Sequence, residues 1–424
     1  MILAAGRGTR LDPLDGRRPK HVLPVGGAPL IHHALRAMKN AGLEEVFIVV
    51  HHMKEMVISS VGDGSSFSLR VHYLDQGGLG GTGDALRAAA PLLGEDGVLL
   101  VYGDLAFKPS FLRELVSEFE SNGGAVGGII GAALLGDTSE YGTLEMKDGK
   151  VLRIVEKSGA HVPGLVNAGI YALSPEILGY LDRTPRSERG EFELTTTINI
   201  ASSEGMKFSA MEMPEGSWVD VGRPWNVLEA NRLLFDELIR GRSIRGTVEE
   251  NVQIRGNVIV EEGAKILSGS YIEGPVWISS GCIVGPNCYL RPYTYLCEGV
   301  RVGNACEVKG SIVMERSHIG HLSYVGDSVI GADCNLGAGT ITANLRFDDR
   351  SIRVSVKGCR VDTGRRKVGA FLGDGVKTGI NVSIYPGVKI GHSSWIAPHT
   401  PVSKDIPPET VVSPALGVEM RPRR

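Results

Sequence analysis

From Val248 onward the chain places a branched aliphatic at every sixth position: Val248, Ile254, Val260, Ile266, Ile272, Ile278, Val284, Leu290, Leu296, Val302 and Val308. A hexapeptide repeat of this kind marks a parallel β-helix, in which each short strand contributes one inward side chain and stacked coils bury a continuous core. The same spacing returns at Leu372, Thr378, Ile384, Ile390, Ile396 and Val402, so the stretch from about 309 to 371 reads as an interruption. Interruptions of a β-helix commonly carry function on one face. Period alone leaves the hand of the coil open, because a left-handed turn breaks the usual right-handed crossover rule.

A different pattern precedes the repeat. Runs such as VFIVV at 46–50, LRVHYL at 69–74 and VLLVYGD at 98–104 read as strands, and IHHALRAMKNAG, TGDALRAAAPLL and PSFLRELVSEFESNG between them carry helical spacing. That alternation predicts an α/β domain, a mixed but mostly parallel sheet of Rossmann-like character covered by helices. MKDGKVLRIVEK adds a β-hairpin signal, and PWNVLEANRLLFDELIRG a last helix. The expected organisation is an α/β domain over 1–230, a linker helix over 231–245 and a β-helix over 246–424.

Composition narrows the function. The 45 basic and 48 acidic residues give a net charge of −3 without long blocks of one sign, so phosphate binding has to be local rather than a generic polyanion surface. No apolar run approaches the roughly 18 residues of a membrane span, and Arg7 interrupts the start before a leader could form, so a cytoplasmic protein is expected. The six cysteines contain no CxxC pair and read as reduced, buried or half-buried thiols. The 57 glycines exceed an average usage of roughly 7%. They suggest two populations, one where backbone approaches a ligand and one, including Gly285, Gly303, Gly373 and Gly391, at the bends of the coil.

The stretch LAAGRGTRLDPLDGRRPKHVLPVGGAP follows a short first strand. Its glycines allow successive N–H groups to wrap a polyphosphate while Arg10 and Lys20 bring charge, and its spacing fits neither the Rossmann nor the Walker pattern. Here the sequence resembles the sugar-1-phosphate nucleotidylyltransferases. The resemblance implies nucleotide binding by Leu3, Ala5, Gly6, Gly8, Gln76, Gly81, Thr82, Tyr102 and Gly103, with Arg10 and Lys20 catalytic. It implies Mg²⁺ on Asp104 and Asp220, and sugar-phosphate binding by Gly142, Glu156 and Asn167. Two hard carboxylates plus phosphate oxygens suit that ion. Only Met1 and Ile2 precede LAAG, so the central strand is expected either to be short or to begin upstream of the stated start.

In the repeat, GHLSYVGD and NLGAGTITAN resemble the acetyltransferase half of bifunctional N-acetylglucosamine-1-phosphate uridylyltransferase/glucosamine-1-phosphate acetyltransferases, especially the archaeal ones. That likeness implies a left-handed coil, a homotrimer, acetyl-CoA as donor and His321 as general base. Neutral imidazole near pH 7 can take the proton of an attacking amine. It also implies a site built from Arg291, Lys309, Tyr324, Asn335, Ala338 and Asn344. Bacterial relatives carry a lysine six residues after that Asn, whereas this chain has Arg350, followed by Arg353. A guanidinium grips phosphate as a fork and an ammonium as a point charge, so acceptor choice could extend to galactosamine-1-phosphate. Arg421, Arg423 and Arg424 form a basic tail, expected to be solvated.

The resulting expectation is an enzyme that acetylates glucosamine-1-phosphate and couples N-acetylglucosamine-1-phosphate to UTP or dTTP with release of pyrophosphate. The alternative is a glucose-1-phosphate thymidylyl- or uridylyltransferase whose β-helix is purely structural. A silent scaffold subunit is disfavoured by the intact Arg10, Lys20, Asp104 and Asp220.

Overall fold

A computed structural model describes residues 1–78, 80–94, 97–122, 126–157 and 159–414; the basic tail at Arg421, Arg423 and Arg424 lies outside them. The chain forms two compact units, one of Met1–Gly8, Arg18–Leu23 and Ala28–Gly222, the other of Thr9–Arg17, Pro24–Gly27 and Arg223–Arg424.

The first unit is built on a nine-stranded mixed sheet in the order 70–75, 45–50, 2–4, 98–102, 164–173, 128–135, 208–212, 150–155, 143–147. Four parallel strands, Arg70–Asp75, Glu45–Val50, Ile2–Ala4 and Val98–Tyr102, form one side, and each of the inner three carries buried aliphatics. The first strand, Ile2–Ala4, lies between two parallel neighbours. Helices Leu30–Asn40, Thr82–Ala89 and Ser110–Ser121 arise where helical spacing was read, each burying its apolar stripe. Asp148 and Gly149, both at positive φ (50° and 75°), join strands Thr143–Lys147 and Lys150–Val155 as the Asp-Gly signal predicts.

In the second unit, three parallel sheets of eight, nine and eight strands, entered at Ser243–Ile244, Thr247–Val248 and Gln253–Arg255, are the three faces of a left-handed β-helix. The repeat aliphatics line its core, Ile266, Ile272, Ile278, Val284 and Leu290 all being fully buried. Cys282, Cys288, Cys297, Cys306 and Cys334 are buried free thiols, while Cys359 is exposed, against the expectation for it. The helix preceding the coil is Pro224–Leu238, so it begins ahead of the 231 expected for a linker.

The interruption is much smaller than the spacing suggested. Val313, Ile319, Val325, Ile330, Leu336 and Thr342 continue the inward row. The corner between the third and first faces is one residue shorter twice, at Val308 to Val313 and Val325 to Ile330. Dropping a residue in a corner shifts the six-residue count without changing which side chains face inward. The true excursion leaves the third occurrence of that corner after Asn344, closes at a bridge between Leu345 and Lys367, and contains the hairpin Arg353–Val356/Cys359–Asp362.

Candidate active sites in the two units

In the first unit the predicted nucleotide residues lie at the C-terminal ends of the parallel strands 2–4, 98–102 and 70–75, where open α/β sheets hold ligands. Lys20 runs beneath the glycine loop: a β-carbon on Gly8 (φ 75°) would stand 3.3 Å from its Cδ. Its ammonium pairs with the Asp104 carboxylate, both largely sheltered. Burial pushes the Asp104 carboxyl upward, but the Lys20 and His21 charges and the Lys20 hydrogen bond outweigh it and hold the carboxyl below its ordinary range. The Gly103 N–H donates to Leu3 O at 2.9 Å, which fixes the two strand ends against each other. Strand Trp218–Asp220 pairs antiparallel with Leu105–Phe107, placing Asp220 opposite Leu105 and next to Asp104 in the ladder. The Val221 N–H donates to Asp104 O at 2.9 Å. Two acidic residues 116 positions apart in sequence are thereby brought together along the backbone, and their hard oxygens are the donor type that suits Mg²⁺.

The base-reading and sugar-side residues come together too. Gln76 Nε2 donates to Gly81 O (2.8 Å) and to Asp84 Oδ2 (3.1 Å), so Oε1 is the amide's acceptor, the polarity that a pyrimidine N3–H requires. Gly81 sits at φ 93°, and a β-carbon there would fall 2.5 Å from Phe192 O. Thr82 Oγ1 accepts from the Leu194 N–H at 2.9 Å. Further along, Asn167 Nδ2 donates to Tyr171 Oη (2.5 Å), which lies 3.2 Å from Tyr102 Oη. Burial pushes the Tyr102 phenol up to about 12. The Asn167 N–H donates to Gly142 O at 2.8 Å, and Gly142 faces the Glu156 carboxylate. Ala5 caps the first strand, whereas Arg10 lies on Thr9–Arg17, a segment that packs within the second unit.

Most residues predicted for the second site are spread along the third face of the β-helix, the corner that leads into it and the corner that leaves it. Lys309 and Tyr324 lie in strands of the third face, and Arg291 and Asn344 just after strands of it; Tyr289, Glu307, Tyr324 and Ile341 are aligned there in register. Arg291 Nη1 donates to Glu307 Oε1 at 2.9 Å. Lys309 Nζ donates to Asp327 Oδ2 at 2.8 Å, and Asn344 Nδ2 donates to Asp327 Oδ2 at 2.6 Å and to Tyr324 Oη at 3.0 Å. Asn335 belongs to the second face, aligned with His318 and Lys377. His321 and Ala338 occupy successive turns between those faces, stacked by a Gly339 N–H to His321 O bond of 2.9 Å. His321 is exposed, in the corner that leads into the third face. Arg350 and Arg353 lie on the excursion, both exposed, with Arg353 opposite Asp362 in the hairpin. Asp327 closes the motif GHLSYVGD, and the motif alone assigns it no role. Its signal was an acidic residue at the corner that breaks the six-residue count.

The chain matches the nucleotidyl transferase family over residues 1–237 and the GMPPB C-terminal domain over 272–411. It is 42% identical over 96% of its length to a bifunctional sugar-1-phosphate nucleotidylyltransferase/acetyltransferase of Sulfurisphaera tokodaii, covering 97% of that protein. It is 39% identical over 97% of its length to the bifunctional protein GlmU of Methanocaldococcus jannaschii, covering 96% of it. Among solved structures it resembles a chain from Bacillus anthracis assigned as a glucose-1-phosphate thymidylyltransferase and crystallised with sucrose. That likeness has a TM-score of 0.51 and 29% identity, and covers 57% of this chain and 96% of that one. Two polar sites on two folds, in a chain that matches these relatives along nearly its whole length, have one reading: the protein belongs to the family of bifunctional sugar-1-phosphate nucleotidylyltransferase/acetyltransferases.

Proposed function

We propose that the β-helix acetylates glucosamine-1-phosphate from acetyl-CoA and that the α/β unit transfers UMP from UTP to N-acetylglucosamine-1-phosphate. The observation carrying this reading is the coexistence on one chain of the Lys20–Asp104 pair, with Asp220 in the ladder that follows it, and the Lys309–Asp327–Asn344–Tyr324 cluster on the β-helix. In the first step the amine nitrogen attacks the thioester carbonyl, His321 takes the amine proton, and the C–S bond breaks to release the coenzyme A thiol. Lys309, Arg291 and Tyr324 hold the sugar phosphate, Asn335 and Asn344 orient the amino sugar, and the Ala338 backbone meets coenzyme A. Arg350 and Arg353 add charge at the rim, and galactosamine-1-phosphate is a second acceptor to be tried.

In the other unit the sugar phosphate oxygen attacks the α-phosphorus of the triphosphate and pyrophosphate leaves in line. Lys20, Arg10 and the loop N–H groups of Leu3, Ala5, Gly6 and Gly8 stabilise the charge that develops, with no covalent intermediate. Gln76, Gly81, Thr82, Tyr102 and Gly103 hold the nucleotide, and Gly142, Glu156 and Asn167 hold the sugar. Asp104 and Asp220 would hold Mg²⁺, which supplies charge neutralisation on the phosphates. The working form is a homotrimer assembled through the β-helix, in the cytoplasm, where buried free thiols stay reduced. By function the chain divides into a nucleotidylyltransferase domain over 1–230, a linker over 231–245 that takes in the end of helix Pro224–Leu238, and a β-helix acetyltransferase domain over 246–424.

The competing reading is dTTP or UTP coupled to glucose-1-phosphate with an inert β-helix; the Bacillus anthracis neighbour, assigned as a thymidylyltransferase, is consistent with the nucleotidyl half of it. Coenzyme A thiol release with glucosamine-1-phosphate separates them, beside pyrophosphate release over UTP and dTTP against both sugar phosphates. Thiol release is expected; its absence would leave only the competitor.

A further inference from the structure

The third-to-first corner of the β-helix is where the fold departs most from its repeat, and Asp327 sits in it. It is a non-glycine residue in the left-handed region (φ 48°), on the same shortened corner where the previous coil has Gly310 (φ 53°). Its carboxylate is 2% exposed, yet it receives Lys309 Nζ at 2.8 Å and Asn344 Nδ2 at 2.6 Å, with Arg232 Nη2 of helix Pro224–Leu238 at 3.9 Å. The backbone is pinned as well: the Asp327 N–H donates to Lys309 O and the Gly369 N–H to Asp327 O, both at 2.8 Å.

An ionised carboxylate only accepts. Facing it, Asn344 must present its NH₂ group, because the flipped amide would set oxygen against oxygen. One hydrogen of that NH₂ is taken by Asp327 and the other by Tyr324 Oη at 3.0 Å. Asn344 Oδ1 is then an acceptor directed away from the carboxylate, and the Tyr324 hydroxyl, already accepting, keeps its own proton to donate. Lys309 is oriented by the same carboxylate and has two further N–H groups for other acceptors.

From this arrangement we infer that Asp327 is a positioning residue that sets the donor and acceptor polarity of the acetyl-acceptor pocket. It makes Tyr324 and Lys309 donors toward the phosphate of the amino sugar and Asn344 Oδ1 an acceptor for its N–H or O–H groups. This rests on the acetyltransferase reading above and assigns the selectivity of that same site. The tests are Asp327→Asn and the exchange Asp327→Asn with Asn344→Asp. The exchange keeps the net charge and permits an internal hydrogen bond, but it makes residue 344 acceptor-only and turns the Tyr324 proton inward.

Thiol release should show a KM for glucosamine-1-phosphate raised roughly tenfold to a hundredfold in Asp327→Asn, the loss of a charge-assisted hydrogen bond. The KM for acetyl-CoA and the rate of pyrophosphate release should stay within about twofold of the parent chain. The exchange should recover the melting temperature without recovering that KM. A purely structural role predicts that it recovers both, and that outcome, or an unchanged KM in Asp327→Asn, overturns the inference. If Asp327→Asn does not fold, the exchange carries the test alone. A parent chain without thiol release overturns the acetyltransferase reading and this inference together, whereas a normal parent with an indifferent Asp327→Asn overturns only the inference.

Discussion

The two units solve one problem, bringing polar side chains to a phosphate, by opposite routes. In the α/β unit Lys20 meets Asp104 across 84 positions, and Asp220 arrives through a two-stranded ladder. In the β-helix Lys309 meets Asp327 across 18 positions and Asn344 meets Asp327 across 17, each simply one coil on. A coil length fixes neighbours in the second case; in the first, only the packed sheet does. The difference teaches where each site is vulnerable: the α/β site to changes in crowded loops, the β-helix site to changes in its corner.

The largest expected effects test whether the two sites are chemically separate. Lys20→Ala should lower pyrophosphate release about 10²- to 10³-fold, as loss of a preorganised charge does, and leave thiol release intact. His321→Ala should lower thiol release about 10²- to 10⁴-fold and leave pyrophosphate release intact. Loss of both activities in either variant would break the comparison.

Next come core and loop substitutions. Ile266, fully buried in an early coil, should cost about 2–5 kcal/mol as Ile266→Ala, read as a lower denaturation midpoint of the β-helix transition with nucleotidyl transfer kinetics unchanged. Gly81→Ala should act the other way round. Its φ of 93° and the 2.5 Å approach to Phe192 O put roughly 1–3 kcal/mol of strain into the loop beside Gln76. The KM for the triphosphate should rise while thiol release holds.

The smallest effect concerns Asp15, on the signature segment that packs within the β-helix unit, where Asp12 reaches Lys389 Nζ at 2.5 Å. Burial, reinforced by Asp12, pushes the Asp15 carboxyl up to about 6, against its own backbone hydrogen bond and Lys389. The folded chain therefore binds that proton more tightly than the unfolded chain. Stability falls as pH rises from about 4 to about 6 and is constant beyond. Asp15→Asn should raise stability at pH 8 by less than about 1 kcal/mol once solvent screening is allowed for, read as a higher melting temperature, and change nothing below pH 4. An equal gain at both pH values would contradict this account.

The β-helix was legible from one regularity, and the strands Glu45–Val50, Arg70–Asp75 and Val98–Tyr102 from their β-branched runs. The interruption was overread, because counting by six loses the row at each shortened corner although Val313, Val325 and Leu336 still point inward. Lys20, Asp104 and Tyr324 were found through motifs. Asp327 was not, since a buried acid and a solvated one look alike until the corner around them is built.

Sequence by itself determined the architecture of both units and the inventory of polar groups, because strand pattern and repeat period are local properties written into successive residues. Tertiary structure alone decided which groups meet and which way their hydrogen bonds run. Lys20 on Asp104, Gln76 turned with Oε1 outward, and Asn344 locked by Asp327 all depend on partners whose distance in the chain says nothing of their distance in space. Hydrogen-bond polarity is a property of the neighbour as much as of the residue, and only packing supplies the neighbour.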